Sequence, residues 1–224
     1  MLIVERPVGP LAANCFVVAS GPDATCVVID PGQEAEDAVA ESVGEHGLRP
    51  EAVLLTHGHF DHVWSAAALS ERYGIPVYVH PEDAALLSDP AKGLDPALAA
   101  QLTALFGDGQ LNEPENTYHL RGEQTLALAE MTFTVHHAPG HTPGSVAFST
   151  DDDGTPTLFA GDLLFAGSIG RTDFPGGDPE AMAESLRRVC LDRPDETVVH
   201  PGHGPVTTIG RERVSNPFLR GLTS

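Results

Sequence analysis

Between residues 56 and 62 the chain reads Thr56-His57-Gly58-His59-Phe60-Asp61-His62, directly after the apolar run Val53-Leu54-Leu55. Four potential metal ligands thus fall within six residues. Spacings of two and three do not share one helix face, but a loop leaving a strand end can turn several side chains towards one point. Gly58 is expected to relieve crowding between His57 and His59. Imidazole and carboxylate are ordinary zinc ligands, and neutral imidazole also suits iron and other transition metals. A polar loop with coincidental histidines is the alternative. The number and type of ligands favour a metal site.

Three later segments have the same character. Ala138-Pro139-Gly140-His141-Thr142-Pro143-Gly144 follows a run ending near His136. Ala160-Gly161-Asp162 follows Thr157 to Phe159, and His200-Pro201-Gly202-His203-Gly204-Pro205 follows Thr197 to Val199. Each places a prospective ligand in a Gly/Pro-bracketed turn after an apolar run. Active-site residues concentrate on such loops because a rigid sheet positions them. All four loops are therefore expected at one edge of the fold.

The elements that must hold these loops can be read from the apolar runs. Strands are expected at Leu2 to Val4, Asn14 to Ala19, Thr25 to Ile29, Val53 to Leu55, Val77 to Val79, Thr125 to Leu128, Thr132 to His136, Val146 to Ser149, Thr157 to Phe159 and Thr197 to Val199. Gly21-Pro22-Asp23 predicts a hairpin turn, and Asp30-Pro31-Gly32 ends the third strand. Helices are expected from Glu34 to His46, His62 to Tyr73, Pro81 to Leu87 and Pro179 to Cys190. Asp61 is placed to cap the second, while Gly47 and Gly74 end the first two. Residues Ser88 to Glu115 read as a surface excursion with a helix from Asp95 to Phe106. Asp151-Asp152-Asp153 reads as a solvated acidic turn, because the rest of a calcium loop's pattern is missing. No linker or repeat divides residues 1–224, which predicts one α/β domain of two mixed sheets packed face to face with helices outside.

Composition excludes several partners. The 224 residues carry 12 Lys+Arg against 32 Asp+Glu, a formal net charge of -20. Proteins that grip phosphate backbones neutralise them with clustered cations, so neither nucleic acid nor an anionic membrane surface is expected as a partner. Cys15, Cys26 and Cys190 are too few and too widely spaced for a disulfide framework or a Cys-based zinc site. No signal peptide or apolar run of membrane-spanning length is visible, which predicts a cytoplasmic protein.

The ordered set His57-x-His59-x-Asp61-His62, His141, Asp162 and His203 resembles the metallo-β-lactamase superfamily over nearly the whole chain. The resemblance implies a four-layer αββα sandwich with two divalent metal ions at the sheet edge, zinc foremost, with iron or manganese as alternatives. It implies that His57, His59 and His141 hold the first metal, that Asp61, His62 and His203 hold the second, and that Asp162 bridges them. The place of Asp162 is not an aspartate in the antibiotic-destroying lactamases, so β-lactam hydrolysis is not expected. The place of His59 is a glutamate in flavodiiron oxygen reductases, which argues against that branch, and the nuclease branches carry basic surfaces absent here.

Gly167-Ser168-Ile169-Gly170-Arg171-Thr172-Asp173-Phe174-Pro175-Gly176-Gly177-Asp178, with Glu212 to Leu219, is similar to the single-domain glyoxalase II-type hydrolases. That resemblance implies attack of a metal-bridging hydroxide on a small-molecule thioester, with Asp61 orienting it and a thiolate leaving. A thiol of pKa ~8.5 leaves without a donated proton more readily than an amine. Only 21 residues follow His203, so the C-terminal cations that cradle glutathione in two-domain relatives are expected to be absent or rudimentary. Arg171 could contact a substrate carboxylate through its planar fork or pair with Asp173 or Asp178. The rival resemblance is persulfide dioxygenase, which implies one non-haem iron on His57, His141 and Asp162. A non-catalytic metal-binding domain is the third reading.

Overall fold

The structure, a computed structural model describing residues 1–106, 111–151 and 154–222, is built on two six-stranded sheets. The first runs in chain order: β1 (Leu2–Val8), β2 (Ala13–Ala19), β3 (Thr25–Ile29), β4 (Arg49–Leu54), β5 (Val77–Val79) and β6 (Thr117–His119). Its first two pairings are antiparallel and its last three parallel. The second sheet holds β7 (Thr125–Leu128), β8 (Met131–His137), β9 (Val146–Thr150), β10 (Thr157–Gly161), β11 (Val198–Pro201) and β12 (Thr207–Thr208). It is antiparallel except between β10 and β11.

Parallel neighbours need a crossover, usually a helix. α1 (Ala35–His46) joins β3 to β4, α2 (Phe60–Val63) and α3 (Ala66–Tyr73) join β4 to β5, and α4 (Pro96–Phe106) lies between β5 and β6. α5 (Pro179–Ser185), continued by a π turn over Leu186–Leu191, joins β10 to β11, and α6 (Ile209–Ser215) and α7 (Pro217–Arg220) follow β12.

Strand alternation builds the layers. Along β2, Cys15, Val17 and Ala19 face a core shared with α1 and α3, whereas Phe16 and Val18 face the other sheet. In β10, Phe159 points between the sheets while Leu158 and Ala160 pack with Met182, Leu186, Ile209 and Leu219. Three apolar cores separated by two sheets make the expected αββα sandwich. Phe16, Phe133, Phe148 and Phe159, all buried, fill the space between the sheets. Truncating one of them to alanine would cost about 3–5 kcal/mol. Among the described residues, no helix is long and apolar enough to cross a membrane.

Several local expectations need correction. The helix expected from His62 to Tyr73 is two helices, α2 and α3, and Asp61 lies inside α2 rather than capping it. Its carboxylate is drawn instead to two imidazoles. Residues Pro81 to Leu87 form only a 3-10 turn, Ala84–Leu86. The helix beginning at Pro179 widens into the π turn after Ser185. Gly58 also lies against a more distant segment: a Cβ there would stand 2.8 Å from Leu86 Cβ and 2.9 Å from the Asp83 carbonyl oxygen. β6, β12, α6 and α7 lie outside the expected elements. In the acidic turn, Asp152 and Asp153 lie outside the described residues.

Candidate metal centre

The sequence-predicted loops meet at one edge of the sandwich. The loop after β4 carries His57 and His59, and α2, which follows it, carries Asp61 and His62, all from the first sheet. The loops after β8, β10 and β11 carry His141, Asp162 and His203 from the second. His203 is drawn in by a bridge to Ala13, and Asn14 Nδ2 donates to the carbonyls of Pro201 and Gly204 at 3.0 and 2.8 Å.

Donor spacing tests whether these residues fit metal ions. Ligand atoms around a tetrahedral zinc at ~2.0–2.1 Å lie roughly 3.3 Å from one another. His62 Nε2 is 3.2 Å from His203 Nε2 and 3.6 Å from Asp61 Oδ2, which is 3.3 Å from His203 Nε2. On the other side, His59 Nδ1 is 2.8 Å from His141 Nε2, and the His57 and His59 ring centroids are 4.9 Å apart. Asp162 reaches both groups: one oxygen is 3.5 Å from His62 Nε2, and the other is 3.4 Å from His141 Nε2 and 3.8 Å from His203 Nε2. His57 Nε2 and Asp162 Oδ1 are buried without a hydrogen-bond partner. Unpaired buried polar atoms are costly. These two lie where a cation would satisfy them, so the donor set fits.

Electrostatics agree. Burial, together with the surrounding imidazoles, holds His57 well below the usual histidine range and lowers His59 to about 3. Both rings are therefore neutral, with lone pairs free. Burial also disfavours a charged His62, but Asp61, Asp162 and Asp30 outweigh it and raise its pKa to about 10. Burial would raise Asp61, yet His62 and His203 keep its carboxyl well below the ordinary range. The field between these carboxylates favours positive charge, which a divalent cation supplies as well as a proton.

Residues behind these side chains fix their orientation, as metal sites generally require. Asp30 accepts from Thr56 N at 2.7 Å and from Thr56 Oγ1 at 2.6 Å, and lies 3.2 Å from His62 Nδ1. Thr56 Oγ1 is 3.0 Å from His57 Nδ1, and His141 Nδ1 is 2.7 Å from the Arg171 carbonyl oxygen. Asp83, fully buried, accepts from Gly58 N at 2.8 Å, Gly144 N at 2.7 Å and Thr142 Oγ1 at 2.7 Å. It thereby ties the loop of His57 and His59 to the loop of His141. Gly202 passes so close that a Cβ would overlap Asp162 Oδ1.

Sequence reasoning missed Asp30, Thr56, Asp83 and Thr142. Asp30 did carry a signal, an acid in a Pro/Gly turn directly after a strand, as at Asp162. Asp83 carried none. A second histidine group, His80, Glu82 and His137, lies nearby. The rings of His80 and His137 stack 4.2 Å apart at 9°, so a cation in the plane of one ring is out of the plane of the other.

The centre opens into a cavity of about 650 Å³, lined among others by Asp61, His59, His141, Asp162 and His203. Arg171 is at this cavity, but its Nε and Nη2 donate to the Asp173 carboxylate at 2.7 and 2.8 Å. Of the two pairings considered for it, the one with Asp173 is present.

The model described as the Metallo-beta-lactamase superfamily matches residues 8–203. The hydroxyacylglutathione hydrolase GloC of Haemophilus influenzae is 37% identical over 213 residues, covering 95% of each chain. Among solved structures, the B3 metallo-beta-lactamase BLEG-1 is 38% identical with a TM-score of 0.84, over 97% of this chain and 99% of that one. TTHA1623 in a di-iron-bound form is 43% identical with a TM-score of 0.79, over 98% and 100%. ETHE1 from Myxococcus xanthus is 27% identical with a TM-score of 0.78, over 99% and 85%.

Proposed function

This chain belongs to the metallo-beta-lactamase superfamily, and from that premise we propose that it is a hydrolase of small-molecule thioesters acting at a two-metal centre. Membership and the likeness to GloC support a metal-dependent hydrolase. The thioester is our reading. The observation that carries it is the full donor set, two three-residue groups linked by Asp162, together with the likeness to GloC.

In this reading His57, His59 and His141 would hold one ion, Asp61, His62 and His203 the other, and Asp162, which reaches both groups, would serve both. A divalent ion bound there lowers the pKa of water towards neutrality and polarises a carbonyl oxygen. The chain's own residues do the rest. Thr56 and the Arg171 carbonyl fix the rings of His57 and His141. Asp30 fixes His62. Asp61, which lines the cavity and whose carboxyl is held ionised by His62 and His203, would accept a hydrogen bond from the attacking water and orient it. Water adds to the thioester carbonyl, the carbon–sulfur bond breaks, and a carboxylic acid and a thiol are released. Zinc is the ion we propose, with iron and manganese suited to the same donors. The likeness to a di-iron form of TTHA1623 supports iron in particular.

A second reading, persulfide dioxygenation at one iron, is favoured by the likeness to ETHE1. Elemental analysis with parallel assays separates the two. Two metals per chain with lactoyl-thioester hydrolysis support the hydrolase. One iron per chain with oxygen uptake on a persulfide overturns it. A β-lactam belongs in the same assay because of the likeness to BLEG-1.

A further inference from the structure

The wall of the cavity above the metal centre is apolar on most sides, with Leu11, Leu94, Leu98, Phe165, Ile169 and Phe174 lining it. Of the chain's twelve Lys and Arg residues, Arg171 is the one found among the described lining residues. Its guanidinium is already engaged. Asp173 holds it by two parallel hydrogen bonds, its carbon sits 3.6 Å from the centre of the Phe174 ring, and Asp95 adds a second negative charge near it. A substrate carboxylate approaching this arginine meets a charge already paired and a carboxylate that repels it. The net charge of -20 further slows the approach of any anion. An apolar chain, by contrast, gains about 25 cal/mol for each Å² it buries on the leucine and phenylalanine wall.

We propose that the cavity selects thioesters whose thiol portion carries no net negative charge and presents an apolar chain, and that Asp173, by holding Arg171, is the residue that disfavours anionic thiols. The proposal rests on the thioester reading above. It separates this chain from a hydrolase built for glutathione, whose thiol carries two carboxylates and one ammonium.

The test keeps the acyl group constant. The metal-loaded protein is assayed on the lactoyl thioesters of N-acetylcysteamine, which is uncharged, and of glutathione. At low salt, kcat/KM for the uncharged thioester exceeds that for the glutathione thioester by about tenfold or more. High salt narrows the gap by screening. Asp173→Asn frees Arg171 and moves the ratio roughly tenfold towards glutathione, while Arg171→Gln with Asp173→Asn leaves no cation and restores the preference for the uncharged thioester. A wild-type preference for the glutathione thioester overturns the selectivity while leaving the hydrolase reading intact. So does a ratio that Asp173→Asn does not move. Turnover of neither thioester by protein carrying two metals overturns the thioester reading and the selectivity together.

Discussion

Asp83 accepts a hydrogen bond from the Thr142 hydroxyl at 2.7 Å, across 59 residues of sequence. The same carboxylate takes the amide hydrogens of Gly58 and Gly144, so one buried acid sets the distance between the loops carrying His57, His59 and His141. Three charge-assisted hydrogen bonds to a carboxylate each contribute more than neutral ones.

Asp83→Asn replaces one acceptor with an NH₂ group facing donors. Metal affinity is expected to fall about 10–100-fold, with hydrolysis falling alongside and far-ultraviolet circular dichroism retained. Titration of the metal-free variant with zinc, followed by competition with a chelator of known affinity, reads the change. Unaltered affinity would show that the loops hold their positions without this acid.

Asp61→Asn keeps the shape of the side chain and removes its charge. The group formed with His62 and His203 loses a negative ligand. Metal content is expected to drop from two ions towards one per chain, and thioester turnover by about a hundredfold or more. A variant that retains both ions and full turnover contradicts the role given to Asp61.

Gly202→Ala places a methyl group against Asp162 Oδ1 and close to His62 Cε1. Asp162 must move, and it is the residue that reaches both groups. Affinity for the two ions is expected to fall by about tenfold or more, with a smaller loss for Gly204→Ala, where a Cβ meets nothing within 4 Å. Isothermal titration of both variants gives the comparison. Equal losses would assign the effect to backbone strain at the loop.

His200 supplies a prediction about stability. Its ring stacks on Phe159 at 5.1 Å and meets Phe16 edge-on at 5.4 Å, and burial lowers its pKa to about 4. The unfolded chain takes up a proton near pH 6.5 and the folded chain only near pH 4. Stability is therefore full above pH 6.5 and lost as pH falls from there towards 4. The loss is on the order of 2–3 kcal/mol. Urea midpoints of wild type and His200→Phe at pH 7 and pH 4.5 test the sign: the variant's midpoint should fall less. Parallel falls would remove His200 from the account.

Much of this architecture was legible. The strands at Thr25–Ile29, Val77–Val79 and Thr125–Leu128 have the predicted bounds: Asp30 ends the first, Pro76 and His80 flank the second, and the turn at Ala129 and Glu130 ends the third. The seven predicted ligands converge because each follows a strand at the same sheet edge, and a strand end is visible in sequence. What escaped was set by contacts made across the fold. Among the described residues β6 pairs only with β5, and Tyr118 and His119 are exposed, so no alternation marks it. Asp83 sits in a segment that looks helical, and its partners lie on two other loops. The closeness of Gly58 to Leu86 and Asp83 likewise depends on a segment that sequence spacing does not place.

The histidine-bearing loops divide between the two sheets, so an ion bound at either group would act as a clasp. His59 and His141 are 82 residues apart, and His62 and His203 are 141 apart. An ion gripping either pair closes a long loop, which in an unravelled chain is entropically expensive. The sheets of the loaded protein should thus part only after an ion is released. Amide protons on the facing strands β3 and β9 would then exchange at a pace set by metal dissociation, making solvent exchange in the interior a clock for events at the rim.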